Sequence, residues 1–336
     1  MHPHNGVFKN GVVALILALL PVLASTAHAA SIDINVATAY AKEYFQTKNL
    51  QQFADDVSAS TSGQVQFKIH PDGTLIKPAD IFSGVVAGKA DAGEVFLSSL
   101  AKVSPIFGID SLPFIVSGYD DAKRMWDGSR PAVDKALRAH GLQLLYAVPW
   151  PPQNFYSNRP INMLKDLKGL RMRTYSPATE RIAELTGAVP VTIQLADLPQ
   201  AMADEKFDIM LTSSASGVET RAWAKMPYYY RINAWIPKNV VFVSLKTFDR
   251  MDDITKKKVL DAAHAAEVRG WKVSQEKNNN NEKELTDNKM SVSTIDPFIR
   301  KSLDRFGETM AREWLKNAGS DALSVLLKYT TDRSMK

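Results

Sequence analysis

Beyond Ser31, two hydrophobic periods take turns along the chain. Ile32-Asp33-Ile34-Asn35-Val36 alternates apolar and polar residues, as a strand with one buried face does. Leu50, Phe53, Ala54 and Val57 instead recur at the spacing of one helix face. Val65 to Ile69 alternates again and ends at the turn signal Pro71-Asp72-Gly73. A helix rich in small residues is expected after Asp80. A short strand over Ala92 to Phe96, a loop holding Ser111-Leu112-Pro113-Phe114 and a buried strand over Leu142 to Val148 follow it.

The pattern breaks at Pro149-Trp150-Pro151-Pro152, where the prolines cannot donate to a ladder and the chain must change direction. Beyond this boundary the alternation restarts: strand over Leu170 to Tyr175, helix over Ala178 to Leu185, strand over Val189 to Ile193, helix over Leu198 to Asp204, strand over Phe207 to Leu211. Repeated β-α-β units imply largely parallel sheets covered by helices, so the pattern predicts two α/β lobes. Asn239 to Val243 reads as a strand that returns to the first lobe. Lobes joined by more than one crossing form a clam-shell, and a ligand is expected in the cleft, beyond the carboxyl ends of the strands.

From Ile254 to about Asn288 the chain has no proline and no glycine except Gly270. This run predicts either one very long helix or two helices broken at Asn278-Asn279-Asn280-Asn281, where helix propensity is poor. Amphipathic helices follow from Pro297 to Leu327, with Phe298, Leu303, Phe306, Met310 and Trp314 as a core stripe.

The N-terminus carries an export signal: Lys9 precedes an apolar run from Val12 to Ala24, and Ala27-His28-Ala29 offers the small residues of a cleavage site after Ala29. The run is about 13 residues, short of the roughly 20 that a spanning helix needs, so the mature chain is not expected to insert in a membrane. The expected address is the periplasm of a Gram-negative bacterium. The chain has 336 residues and no cysteine, so its core must hold it without disulfides, and its length suggests two domains. A formal net charge of +5 is mild and spread out. It helps draw anions to a cleft but forms no basic stripe with interleaved aromatics, and nucleic-acid binding is not expected. Lys256-Lys257-Lys258 reads as a solvated helix face.

Catalytic patterns are missing. Of the six histidines, His2, His4 and His28 fall in the export signal, and His70, His140 and His264 are scattered; with no cysteine, a zinc site is hard to build. Ser213-Ser214-Ala215-Ser216-Gly217 lacks the leading glycine of a nucleophile elbow. Ser99-Leu100-Ala101-Lys102 and Ser274-Gln275-Glu276-Lys277 both fit S-x-x-K, without companion motifs. There is no phosphate-cradling glycine loop. The chain reads as a binding protein, with no enzymatic activity and no cofactor.

The chemistry lies in Asp166-Leu167-Lys168-Gly169-Leu170-Arg171-Met172-Arg173-Thr174-Tyr175. On a strand, Arg171, Arg173 and Tyr175 share one face, and a strand-held guanidinium can grip a carboxylate through two parallel hydrogen bonds. Strand geometry alone leaves both arginines eligible.

Arg159-Pro160-Ile161, Lys168-Gly169-Leu170-Arg171-Met172-Arg173, Glu184 to Pro190 and Phe207-Asp208 together resemble the extracytoplasmic solute-binding proteins of TRAP transporters, the DctP type. Thr61-Ser62-Gly63, Leu112-Pro113-Phe114 and Asp120-Asp121-Ala122 are similar in place and order, so the resemblance spans the mature chain. It implies a periplasmic-binding-protein-like clam-shell with a long helix spanning both lobes. It also implies hinge closure over the ligand and delivery to a membrane permease driven by an ion gradient. The last arginine of the segment maps onto Arg173 as the carboxylate clamp. Lobe boundaries are then 1–29 for the export signal, 30–150 plus about 239–278 for lobe 1, and 151–238 plus about 279–336 for lobe 2.

Departures from the family bear on the ligand. Gln153 stands where members that bind polyhydroxylated acids have a second arginine, and Phe96 where they have a first-lobe carboxylate. Thr212 or Ser213 stands at an amide contact. Thr212-Ser213-Ser214 also lacks the acid of metal-assisted members, so no metal is expected. Trp150, Phe155, Tyr175, Trp223, Tyr228, Tyr229, Tyr230 and Trp235 surround the region, and aromatic faces favour an organic monocarboxylate with an apolar or aromatic body. The expected site is Arg173 as clamp, Gln153, Thr212 and Ser213 as hydrogen-bonding partners, and Phe96, Trp150, Tyr175 and Trp235 as walls. The alternatives are a C4-type dicarboxylate, with Arg171, Lys42 or Arg221 as a second cation, and a periplasmic sensor subunit of the same fold. A monomer is expected.

Overall fold

The computed structural model describes residues 1–3, 6, 31–116 and 118–334; the export signal read from the sequence lies outside the described residues. In chain order the elements are β1 (Ile32–Thr38), α1 (Phe45–Ser60), β2 (Val65–His70), α2 (Ile81–Val86), β3 (Ala92–Phe96), α3 (Tyr119–Arg138) and β4 (Leu142–Pro149). Then come β5 (Gln153–Ser157), β6 (Arg171–Thr174), α4 (Pro177–Thr186), β7 (Val189–Thr192), α5 (Leu198–Ala203), β8 (Ile209–Ser213), α6 (Ser214–Glu219) and β9 (Tyr228–Arg231). The last are β10 (Lys238–Ser244), α7 (Leu245–Phe248), α8 (Asp253–Asp287), β11 (Ser291–Thr294), α9 (Pro297–Asn317) and α10 (Gly319–Ser334).

These strands form two sheets, ordered β2-β1-β3-β10-β4 and β11-β9-β5-β8-β6-β7. Each sheet holds parallel pairs and one strand running against its neighbours. β10 is antiparallel to β3 and β4, and β5 is antiparallel to β8 and β9. The cause lies in the chain path, since β5 enters the second lobe from the first and β10 makes the return trip. The two crossing segments are tied together: Trp150 N–H donates to Pro237 O at 2.8 Å, Gln153 N–H to Trp235 O at 3.0 Å, and Ala234 N–H to Gln153 O at 2.9 Å. These two hydrogen-bonded segments form the connection between the two sheets.

The long helical run is one helix of 35 residues, α8, started by the Asp252 carboxylate accepting from Thr255 N–H at 2.7 Å. The asparagine run does not break it. Asn281 is buried and donates from its amide to Ser214 Oγ at 3.4 Å, so packing overrides poor propensity there. Gly270 marks where α8 lies against the first sheet: a Cβ there would stand 2.5 Å from a Val148 methyl. Gly270→Ala would therefore force the helix off the sheet, an overpacking cost of about 1–3 kcal/mol.

Two expectations for the C-terminus are corrected. Phe298 is 84% exposed rather than part of the core stripe, because the buried face of α9 runs through Ile299, Leu303 and Met310 and leaves Phe298 one position off it. The tail also does not all belong to the second lobe. Gly319, with φ +69°, turns the chain after α9, and α10 buries Ala322, Leu326 and Tyr329 with Met125, Trp126 and Leu137 of α3 on the first lobe. Trp314 anchors that crossing by donating to Pro105 O at 2.9 Å.

Candidate functional site

The carboxyl ends of β1, β3, β6 and β8 converge on one cavity of about 260 Å³. The first lobe lines it with Tyr40, Phe82, Glu94 and Phe96, the crossover with Trp150 and Gln153, and the second lobe with Arg173, Tyr175, Thr212 and Ser213. The lobes meet where the edge of Phe96 approaches the Tyr175 ring at 5.4 Å between centroids and 83° between planes.

Arg173 sits on β6, held between β7 (opposite Val191) and β8 (opposite Met210), and is 2% exposed. Its Nε–H donates to Ile193 O at 2.9 Å, and its guanidinium carbon lies 4.5 Å from the centre of the Tyr175 ring. That backbone bond and the ring fix the plane of the fork. Among the described residues no carboxylate pairs with it and its terminal nitrogens have no hydrogen-bond partner. Burial lowers its pKa to about 10, against the raising influence of Tyr175, Tyr44 and Tyr40, so it remains a cation at neutral pH. A desolvated cation at the wall of a cavity, with no anion paired to it among the described residues, has the charge and the free donors to accept an anionic partner.

Arg171, two positions earlier, is spent elsewhere. It donates from Nε to Asp208 Oδ2 at 3.0 Å and from Nη2 to Asp208 Oδ1 at 2.9 Å, with its side chain 46% exposed. Hydrogen bonds from Arg171 hold the Asp208 carboxyl down at about 2. The two arginines share a strand face, and their places along the strand separate them: Arg171 opens β6 at the surface, whereas Arg173 lies toward the cleft end.

The family of bacterial extracellular solute-binding proteins, family 7, matches residues 36–318. The chain belongs to this family. As a family 7 protein it is a solute receptor rather than an enzyme. It is 38% identical to DctP7, a Bordetella pertussis extracytoplasmic solute receptor binding pyroglutamic acid, with 89% of this chain and 99% of that one covered at a TM-score of 0.87. A marine metagenome TRAP solute-binding protein specific for pyroglutamate is 30% identical, covering 90% of this chain and 99% of its own at a TM-score of 0.87. In Escherichia coli, the 2,3-diketo-L-gulonate-binding periplasmic protein YiaO is 26% identical over 64% of this chain and 67% of its own length.

The family 7 cavity brings together Arg173, Gln153, Phe96, Trp150, Tyr175, Thr212 and Ser213. Trp235 is not among them: it packs in the second lobe's core with Phe155, Ile232 and Ile299. Phe155 and Tyr229 are likewise core residues, and Tyr228 stacks on Tyr230 at 6.4 Å, so most of the expected aromatic surround supports the lobe instead of facing the cleft. Gln153 is largely engaged by the protein, giving an amide N–H to Pro151 O at 2.9 Å and accepting from the Tyr175 hydroxyl at 2.7 Å. It positions Tyr175. Ser213 caps α6 by accepting from Ser216 N–H at 3.1 Å, whereas the Thr212 hydroxyl has no hydrogen-bond partner among the described residues.

One residue was missed. A first-lobe carboxylate is present at the cavity, on the same strand as Phe96 and two positions before it: Glu94, 1% exposed. Thr38 Oγ–H donates to its Oε2 at 2.6 Å and the Asn239 amide to its Oε1 at 2.9 Å. Asn239 in turn accepts from the Tyr40 hydroxyl at 3.0 Å and the Trp150 indole at 2.9 Å. Burial pushes the Glu94 carboxyl up from its ordinary value, opposed by the bonds from Thr38 and Asn239, and no cation pairs with it among the described residues. The signal was the lone acid in Ala92-Gly93-Glu94-Val95-Phe96, a charge inside an otherwise apolar strand.

Proposed function

We propose that this chain is the periplasmic receptor of a TRAP-type transporter and captures a small ring-shaped monocarboxylate of the pyroglutamate class, which it delivers to a membrane permease. The carrying observation is Arg173, a buried cation that no anion pairs with among the described residues, lining a cavity small for a ligand pocket. The ligand carboxylate takes both terminal nitrogens of the guanidinium, Thr212 adds a hydrogen bond, and Tyr175, Phe96 and Trp150 enclose the ring.

Glu94 narrows the class. A carboxylate with spare lone pairs suits a ligand that donates an N–H or O–H at the end away from Arg173, and a lactam acid has such a group. A dicarboxylate would set a second negative charge in a cavity that already holds Glu94, so the C4-type alternative is disfavoured. Pyroglutamic acid in the receptor that is 38% identical, and in the 30% identical metagenome protein, supports this reading. Contacts from both lobes favour the closed arrangement over the open one, which is the basis of hinge closure.

The test is calorimetry on the mature chain with pyroglutamate, benzoate and succinate, each repeated on Arg173→Met. Binding is expected to rank pyroglutamate, then benzoate, then succinate, and to vanish in the variant. Undiminished binding to Arg173→Met refutes the clamp; succinate as the best ligand refutes the class.

A further inference from the structure

Glu219 ends α6, and α6 lies at the seam between the lobes. It is pinned to the second lobe, because Tyr156 donates to Ser213 O at 3.1 Å and fills the space beside Gly217, where a Cβ would stand 2.0 Å from the tyrosine oxygen. Yet Ala215 of the same helix is buried in the first lobe's cluster with Tyr40, Phe45 and Trp150. The Glu219 side chain therefore meets charges from other elements. Glu43, Tyr44 and Lys48 at the start of the first lobe and Lys277 of α8 are near enough to act on it electrostatically, and Arg221 follows it two positions later. Its Oε2 is buried and has no hydrogen-bond partner among the described residues.

We propose that Glu219 is a proton-linked latch of lobe closure, taking up a proton as the lobes close over the ligand and releasing it as they part. The idea rests on the hinge-closing receptor reading. Parting the lobes carries Glu43, Tyr44 and Lys48 away and lets water reach the carboxyl, which then ionises as an ordinary glutamate. In the closed arrangement, burial pushes the group up to about 8, although Lys277 and Lys48 pull the other way and Glu43 adds a smaller push upward. The sign follows. The closed form has the raised value, so closure is strongest at low pH, weakens as pH rises through the interval between the ordinary carboxylate range and about 8, and is flat above it. One proton taken up on closing changes the closed-to-open ratio by up to about ten-fold per pH unit in that interval.

The chain has no cysteine, so Ala59→Cys on α1 and Glu180→Cys on α4, both exposed, place a unique pair of spin labels, one per lobe. Interlobe distances are measured between pH 5.5 and 8.5, without ligand and with saturating pyroglutamate, beside calorimetric affinities over the same range. The closed population and the affinity are expected to fall with rising pH in the native chain. In Glu219→Gln, which mimics the protonated acid, both stay at the low-pH level. If neither quantity changes with pH in the native chain, or if Glu219→Gln keeps the native pH dependence, the latch is wrong. Failure of pyroglutamate to bind at any pH would count against the ligand class instead, and the label distances then judge the latch alone.

Discussion

Two buried cations, Arg173 in the cleft and Lys238 in the first lobe, lie in opposite circumstances. Lys238 is 1% exposed and fully accommodated: its ammonium is 3.4 Å from Asp110 Oδ2, its backbone N–H donates to the same oxygen at 2.9 Å, and Trp126 and Trp271 present their rings at 6.0 and 5.9 Å. Burial pushes the Asp110 carboxyl up and the Lys238 amine down, each opposed by the partner's charge. Arg173 has a backbone carbonyl and a tyrosine ring but no anion among the described residues. A cation that serves the fold is given its counter-charge by the fold; under the proposed function, Arg173 is left without one so that the ligand completes it.

The comparison breaks first at Lys238. Lys238→Met leaves Asp110 as an uncompensated buried acid and is expected to cost about 3–5 kcal/mol in urea unfolding, while Lys238→Met with Asp110→Leu recovers most of the loss. A single variant as stable as the native chain would erase the distinction. At Arg173 the expectation reverses. Arg173→Met should leave the unfolding midpoint unchanged or higher, while ligand affinity drops roughly a hundred-fold or more, the ~2–5 kcal/mol of removing one member of a buried charge pair. Calorimetry and unfolding on one preparation decide it.

Glu94→Gln sharpens the contrast inside the cavity. Pyroglutamate affinity is expected to fall about ten-fold, near the ~1–1.5 kcal/mol of one hydrogen bond, while succinate gains because the repelling charge is gone. Equal losses for both ligands would show that Glu94 supports Thr38 and Asn239 rather than selecting. The smallest effect belongs to Arg171. The Asp208 carboxyl is held at about 2, below its unfolded value, so the pair's contribution is complete above pH 4 and is lost as pH falls through about 2. The arginine of the pair is half exposed and its charge is screened by solvent, so acid titration of native against Arg171→Gln should differ only slightly.

The two-period pattern carried the lobes, the crossover at the prolines and the return of β10, because strands and helices buried on one side write their period into the chain. Arg173 was legible as one of two arginines; strand alternation could not separate them, since depth along a strand depends on which neighbours flank it. Glu94 was lost because a polar residue inside an apolar run is ambiguous between an accommodated core acid and a site. Trp235 was misplaced for the converse reason: aromatics near a crossover serve core and cleft alike, and only packing assigns them. The fate of α10 turned on a single left-handed glycine, which local pattern does not mark.

The place of β10 has a further consequence, for assembly. It is the fourth strand of its sheet, between β3 and β4, yet it is made after β5 to β9, five of the six strands of the second sheet. A chain whose synthesis or passage across a membrane has not yet reached Ser244 lacks the strand that joins β3 to β4, and its first sheet cannot close. Contacts of such long sequence separation form late and slowly. The same threading that joins the two lobes by paired crossings therefore keeps the leading part of the chain from folding ahead of the rest.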